Sequence, residues 1–201
     1  RQLGDGTSNL RELGGANRTW NWLSFYENLN YVYRDKYIAQ ASVSLDGSSR
    51  VGENAENTIN IGDVPFGLFY SGGLGWRISN EPFLKNMAAL EELKFRVTYG
   101  KSGNDDIGES NATNYYDAVK FRETAGLIPA VVPNSELTYE TVSQLNLGMD
   151  LALNGYRFTA RIDAYQSNVE NLLIYAPLEA YFGYQFRPEN NGEMQNTGID
   201  L

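Results

Sequence analysis

The sequence predicts an all-β fold, an antiparallel up-and-down meander that forms part of a large transmembrane β-barrel. Three observations carry this. Apolar and polar residues alternate with period two over runs of about eight to fifteen residues, where soluble strands usually have about five or six. The connections are lopsided. Arg34-Asp35-Lys36, the Ser79–Glu92 segment and Asn154-Gly155 join one set of strand ends, whereas Gly47–Pro65, Lys101–Thr138 and Asn171–Asn191, of 19, 38 and 21 residues, join the other. Short turns on one rim and long loops on the other are the pattern of outer-membrane barrels. Finally, aromatics collect at strand ends. Trp20, Trp22, Phe25, Tyr70 and Tyr99 lie towards the long-loop rim, and Tyr31, Tyr33, Tyr37, Trp76 and Tyr156 towards the other. Two such girdles fit a membrane band, although strand propensity also favours these residues.

The first strand covers Trp22 to Tyr33, with Leu23, Phe25, Leu29, Tyr31 and Tyr33 on one face. Glu27 interrupts that face and marks either a bulge or a contact with a neighbouring subunit. The second strand, Tyr37 to about Asp46, alternates Tyr37, Ala39, Ala41, Val43 and Leu45 with polar residues. A three-residue loop sets Tyr33 against Tyr37, Tyr31 against Ala39 and Leu29 against Ala41; a one-residue slip would oppose the two faces. The third strand runs from about Phe66 to Ile78, and Glu81–Glu92 has helical propensity. The fourth, Leu93 to Gly100, alternates cleanly. The fifth, Tyr139 to Leu153, ends at Asn154-Gly155, a strong hairpin signal. The sixth follows from Tyr156 to Asn168, and a two-residue loop pairs Leu151 with Phe158. A seventh opens near Gly192 and runs to Leu201.

Composition excludes several function classes. The chain of 201 residues has no Cys and no His, which removes disulfides, thiolate nucleophiles, Ser-His-Asp triads and the commonest metal ligand. A net charge of -9 argues against nucleic acid, whose phosphates need a basic stripe. The longest charge-free run, Val64 to Trp76, has thirteen residues with one Pro and four Gly, too short and broken for a membrane helix. No apolar signal segment follows Arg1, and Leu201 falls within an expected strand. Six strands and a stub cannot close a membrane barrel, so the chain reads as a piece of a longer one.

In a barrel the polar face lines the lumen, and Lys94, Arg96, Gln144, Asn146, Asp150, Arg161 and Asp163 stand on it. Asp150 and Arg161 come out as diagonal neighbours, close enough to pair, although solvation in the lumen is the plainer reading for each of these residues. Asn104, Asp105 and Asp106 group oxygen ligands of the kind Ca²⁺ takes, without the EF-hand spacing; a turn is the plainer reading. Tyr115-Tyr116, in the longest loop, would stack on a sugar ring or simply pack the loop. Glu91-Glu92 and Glu53/Glu56 read as solvated charges. Gly72-Gly73 opens no helix and so forms no phosphate cradle. No catalytic residues, and no metal site beyond that loop, are assigned.

Several stretches resemble one family. Asn30-Tyr31-Val32-Tyr33-Arg34-Asp35-Lys36-Tyr37 is similar to its N-Y-x-Y-x-D-K-Y turn, and Asp46-Gly47-Ser48-Ser49-Arg50-Val51-Gly52 to its D-G-S-S-R-F-G. Gly75-Trp76-Arg77-Ile78-Ser79 with Glu81, Leu93 to Gly100 with Gly103-Asn104, and Asn196-Thr197-Gly198 continue the series in order. These resemble the SusC/RagA-like TonB-dependent transporters over about residues 20 to 201, with Val51 and Tyr139 departing from the usual Phe and Trp. The resemblance implies a bacterial outer-membrane, multi-pass barrel of 22 strands around an N-terminal plug. It implies a SusD-like surface lipoprotein partner, the TonB-ExbB-ExbD system acting through the plug, and import of oligosaccharide or peptide cargo without catalysis. Residues 1–201 would be a partial barrel domain lacking the plug. A non-catalytic soluble or surface carbohydrate-binding β-sandwich and a carboxylate-based glycosidase remain as alternatives.

Overall fold

The computed structural model describes residues 19–108, 111–112, 116–121, 124–129, 132–179, 181 and 183–201. Ten strands are present among them: β1 (Trp22–Tyr33), β2 (Tyr37–Ser48), β3 (Thr58–Ile61), β4 (Val64–Arg77), β5 (Leu90–Asn104), β6 (Tyr116–Phe121), β7 (Thr124–Pro129), β8 (Glu140–Leu153), β9 (Phe158–Pro177) and β10 (Phe186–Asp200). One antiparallel sheet runs β1-β2-β4-β5-β8-β9-β10, with β3 added to β4, and β6 and β7 form a separate hairpin.

The first hairpin has the expected register, with Tyr33 opposite Tyr37 and Leu29 opposite Ala41. Its turn holds Arg34 and Asp35 at φ 52° and 56°, closed by Lys36 N–H donating to Tyr33 O at 3.0 Å. The register is unbroken through Glu27, which lies opposite Val43, so Glu27 marks no bulge.

Several expectations are corrected. The Glu81–Glu92 segment is not helical: a 3-10 turn at Ile78–Asn80 leads through tight turns into β5. Pro82 and the need to reverse direction within a few residues outweigh the helix formers there. The Asn154 turn has four residues, with positive φ at Asn154, Gly155 and Tyr156. Leu153 therefore faces Phe158, and Leu151 faces Ala160. This shift of two residues keeps every side chain on its face. It also brings Asp150 directly opposite Arg161. Glu91, read as a solvated charge, accepts Gly155 N–H at 3.0 Å and stabilises that turn. Much of the expected loop Asn171–Asn191 is strand, because β9 runs to Pro177 and β10 starts at Phe186.

The apolar face moves steadily across the sheet. Tyr33, Tyr37, Trp76, Phe95, Met149 and Ile162 form one cross-strand row. On β1 this row is the last before the turn, and apolar residues extend back to Leu23. On β9 two further apolar positions, Ala160 and Phe158, lie beyond it, and the band ends at Ala164. The borders thus move by about four and eight residues over five strand steps, about one residue per step. With a rise of about 3.3 Å per residue and strands about 4.8 Å apart, that slope is a tilt of roughly 35°, the tilt a barrel needs.

No described element covers this face. Phe25, Leu29, Leu74, Leu147 and Ile199 are exposed. Aromatic pairs stand at both ends: Tyr33–Tyr37 and Tyr37–Trp76 stack at 6.4 and 6.5 Å, and Tyr70–Tyr99 lie 6.5 Å apart. The packed core sits instead on the polar side of the sheet at the long-loop rim: Val51, Phe69, Ile107, Ala112, Leu137 and Tyr139.

Leu147→Arg, in the apolar band, is expected to cost about 2–4 kcal/mol in refolding of the full-length protein into lipid vesicles. Asn146→Arg, one residue away on the other face, should cost under about 1 kcal/mol. Equal costs would contradict the assignment of faces.

Candidate functional site

The seven polar-face residues singled out in the sequence do share one face, and they separate into zones. Nearest the short turns is a charged zone. Lys94, Asp150 and Arg161 stand in one cross-strand row, and Arg96, Gly148 and Asp163 in the next. The Asp150 carboxylate accepts from Arg96 Nε at 3.0 Å and Arg161 Nε at 2.9 Å, and Lys94 Nζ lies 3.7 Å away. Arg96 Nη2 reaches over β8 to Asp163 at 3.0 Å. It passes above Gly148, where a Cβ would come within 2.6 Å of both the guanidinium and the Asp163 carboxylate. Glycine is thus required for one arginine to tie three strands together.

Beyond this lies an uncharged zone, where Asn30, Gln40, Thr98 and Asn146 occupy one row and Asn28, Ser42, Ser71 and Gln144 the next. The two serine hydroxyls meet at 2.7 Å. These residues line a concavity of 640 Å³. Gln144 and Asn146 belong to it and not to the ionic cluster.

At the long-loop rim three loops are knitted together. Gly52 N–H donates to Leu137 O at 2.7 Å and Asn54 N–H to Ser135 O at 2.9 Å; a Cβ on Gly52 would meet Ser135 O at 2.0 Å. The Asn190 amide accepts from Thr138 N–H at 2.9 Å and donates to Asn171 O at 2.7 Å. Tyr139 packs edge-on against Phe69 at 5.3 Å and donates its hydroxyl to Asp46 O at 2.5 Å. Burial, with the Asp105 carboxylate nearby, pushes the Tyr139 phenol up to about 12.

Asn104, Asp105 and Asp106 also serve this assembly. Ser48 Oγ donates to Asp105 at 2.7 Å, Arg50 Nη1 lies 3.5 Å from Asp106, and Asn104 Nδ2 donates to Glu140 at 2.8 Å. Among the described residues no three Asp or Glu side chains group to hold a metal ion. Tyr116 opens β6 and is exposed; Tyr115 lies outside the described residues.

The sequence reading missed one buried carboxylate, Glu81, at the short-turn rim. It accepts from Lys36 Nζ at 2.8 Å, Tyr37 Oη at 2.8 Å and Trp76 Nε1 at 3.2 Å. The lysine first, then the two ring donors, hold its carboxyl down at about 2. Arg77 pairs with Asp35 across the same rim. No sequence signal marks it, because its donors Lys36, Tyr37 and Trp76 meet only once the sheet has formed.

The TonB dependent receptor-like β-barrel family matches residues 3–201. The chain belongs to that family. It is 32% identical over 194 residues to a TonB-dependent receptor of Formosa agariphila, covering 96% of this chain and 18% of that one. To the TonB-dependent receptor SusC of Bacteroides thetaiotaomicron it is 30% identical over 190 residues, covering 89% and 18%. Among solved structures, the RagAB peptide transporter aligns with a TM-score of 0.77 at 29% identity, over 90% of this chain and 19% of that one. This TonB-dependent receptor-like chain therefore spans about a fifth of the length of these relatives. The likeness to SusC and RagAB agrees with the motif resemblance, and the all-β meander agrees with the family's barrel.

Two expected outcomes follow from the charge pairs. Asp150→Ala leaves three cations without their shared acceptor and should cost about 2–3 kcal/mol in vesicle refolding, while Arg161→Ala, 74% exposed, should cost under about 1 kcal/mol. The Glu81 carboxyl is depressed on folding, so its stabilisation is complete above its ordinary value of 4.5 and is lost as pH falls towards about 2. Acid titration of Trp76 fluorescence in the full-length protein, with its other tryptophans replaced by Phe, should show that transition, and Glu81→Gln should abolish it.

Proposed function

We propose that the chain is a segment of the barrel wall of an outer-membrane TonB-dependent importer of the SusC/RagA kind, moving glycan or peptide oligomers inward. The observation that carries this is the uncovered apolar face, which shifts by about one residue per strand, as a tilted wall in a lipid band requires. In this reading the polar face is the lumen wall, the short turns face the periplasm and the long loops face the cell exterior. Residues 1–201 belong to the barrel domain, and the plug lies elsewhere in the protein. A SusD-like lipoprotein would close the mouth, and TonB-ExbB-ExbD would supply energy through the plug. The chain itself would contribute no catalytic group. Asn104, Asp105 and Asp106 would hold the mouth loops in place, and Tyr116 stands in the loop region where cargo enters. The likeness to a peptide transporter supports peptide cargo and the likeness to SusC a SusC-type cargo; the amides and hydroxyls along the concavity suit hydroxyl- and amide-rich oligomers of either kind. The exposure of this apolar face among the described residues favours the barrel wall over a soluble sandwich.

The test uses the full-length protein in its own cell. Outer-membrane partition, and uptake of labelled oligosaccharides or peptides that stops on gene deletion and on collapse of the proton-motive force, are expected. A protein that is monodisperse without detergent would overturn the reading.

A further inference from the structure

We propose that the apolar face carries a binding groove for one anionic phospholipid at the short-turn rim. The inference rests on the barrel reading and adds a site to it. The groove, of 420 Å³, is lined by Tyr31, Tyr33, Tyr37, Ala39, Leu74 and Trp76, among others. It exists because Ala39 stands between Tyr31 and Leu74 in the cross-strand row, so a methyl side chain forms the floor between larger walls. Its lining is almost wholly carbon, as an acyl chain requires.

The walls are held before any ligand arrives. Tyr37 and Trp76 both donate to the Glu81 carboxylate, so one buried acid fixes the two rings that stack at 6.5 Å. Both rings are pinned with their polar edges at the rim and their faces in the apolar band. This is the arrangement interfacial aromatics take between hydrocarbon and headgroups.

A cation stands at the open end. Arg34 rests its guanidinium over the Tyr33 ring, 5.0 Å from the centroid. Lys36 is taken by Glu81 and Arg77 by Asp35, whereas among the described residues no carboxylate pairs with Arg34. The side chain also sits where the backbone does not favour it. Its φ of 52° is a position for Asn or Gly, and a strained non-glycine residue points to a role outside the turn. Short turns of such barrels face the periplasmic leaflet, which is made of phospholipid. A phosphate diester on Arg34 with its acyl chain on Ala39 satisfies both ends at once.

Native mass spectrometry of the full-length, detergent-purified protein tests this with phosphatidylglycerol and phosphatidylcholine of identical chains, and with inorganic phosphate alone. Preferential retention of phosphatidylglycerol is expected. Arg34→Asn should lower it about fivefold, the loss of one interfacial cation, while leaving the turn at least as stable. Ala39→Trp, which fills the groove, should lower retention of both lipids. Lys85→Ala makes the same charge change in the turn between β4 and β5, outside the residues that line the groove, and should leave retention unchanged. Equal retention of the two lipids, indifference to Arg34→Asn, or displacement of the lipid by equimolar inorganic phosphate would overturn the site. Those results would leave membrane partition and uptake intact, so loss of the site is distinguishable from loss of the importer reading.

Discussion

A chain in hydrocarbon has no water to satisfy its peptide groups, so each N–H and C=O must find a partner on the next strand. The rest of this structure depends on that requirement. It forces long, unbroken ladders, and β1 and β2 pair residue for residue from Trp22–Ser48 to Tyr33–Tyr37. It also excludes helices and loops from the band, so variation is confined to the two rims. With the backbone fixed, side chains are sorted only by parity, and one parity meets lipid. That is why Glu27 stands out: nothing in its ladder relieves it, and it shares a row with Val43 and Tyr70.

Parity is what a sequence records best. The first hairpin was legible to the residue because two faces and a tight turn left one register. Where only one border was sharp, the reading drifted. After Asn154 two registers differing by two residues satisfy both faces equally; the four-residue turn sets Asp150 opposite Arg161 and lets Glu91 accept the Gly155 N–H. Beyond the lipid band alternation disappears, because both faces of the wall are wet. β9, at 20 residues and a tilt of roughly 35°, is about 54 Å long along the axis, about twice the height of an apolar band. Its outer half, with that of β10, therefore looked like a loop. β6 and β7, of six residues each, and β3 are too short to show a period.

The polar groups of the site were legible one by one and not as a set. The sequence placed Arg96, Asp150 and Asp163 on one face. It could not show that Gly148 leaves room for the guanidinium to cross β8, because an absent side chain has no pattern. Nor could it single out Glu81 from other acidic turn residues. The carboxylate matters through donors brought from β2 and β4, which only the sheet brings together.

The two rims are built by different physics, and this division suits the barrel wall proposed above. At the short-turn rim a few ionic and ring contacts, focused on Glu81 and Asp35, lock adjacent turns with little buried area. At the long-loop rim the loops carry their own apolar core around Leu137 and Ile107, both fully buried, and are sewn to β10 by Asn134 and Asn190. Such a core ties these loops to the end of the sheet. Between the rims the polar face holds amide and hydroxyl side chains along the concavity. An ionic trap there would bind an oligomer tightly and release it slowly. A wall of amides and hydroxyls offers many weak, equivalent contacts, and each is exchangeable with water at small net cost. That is the property a surface needs when its ligand must pass along it.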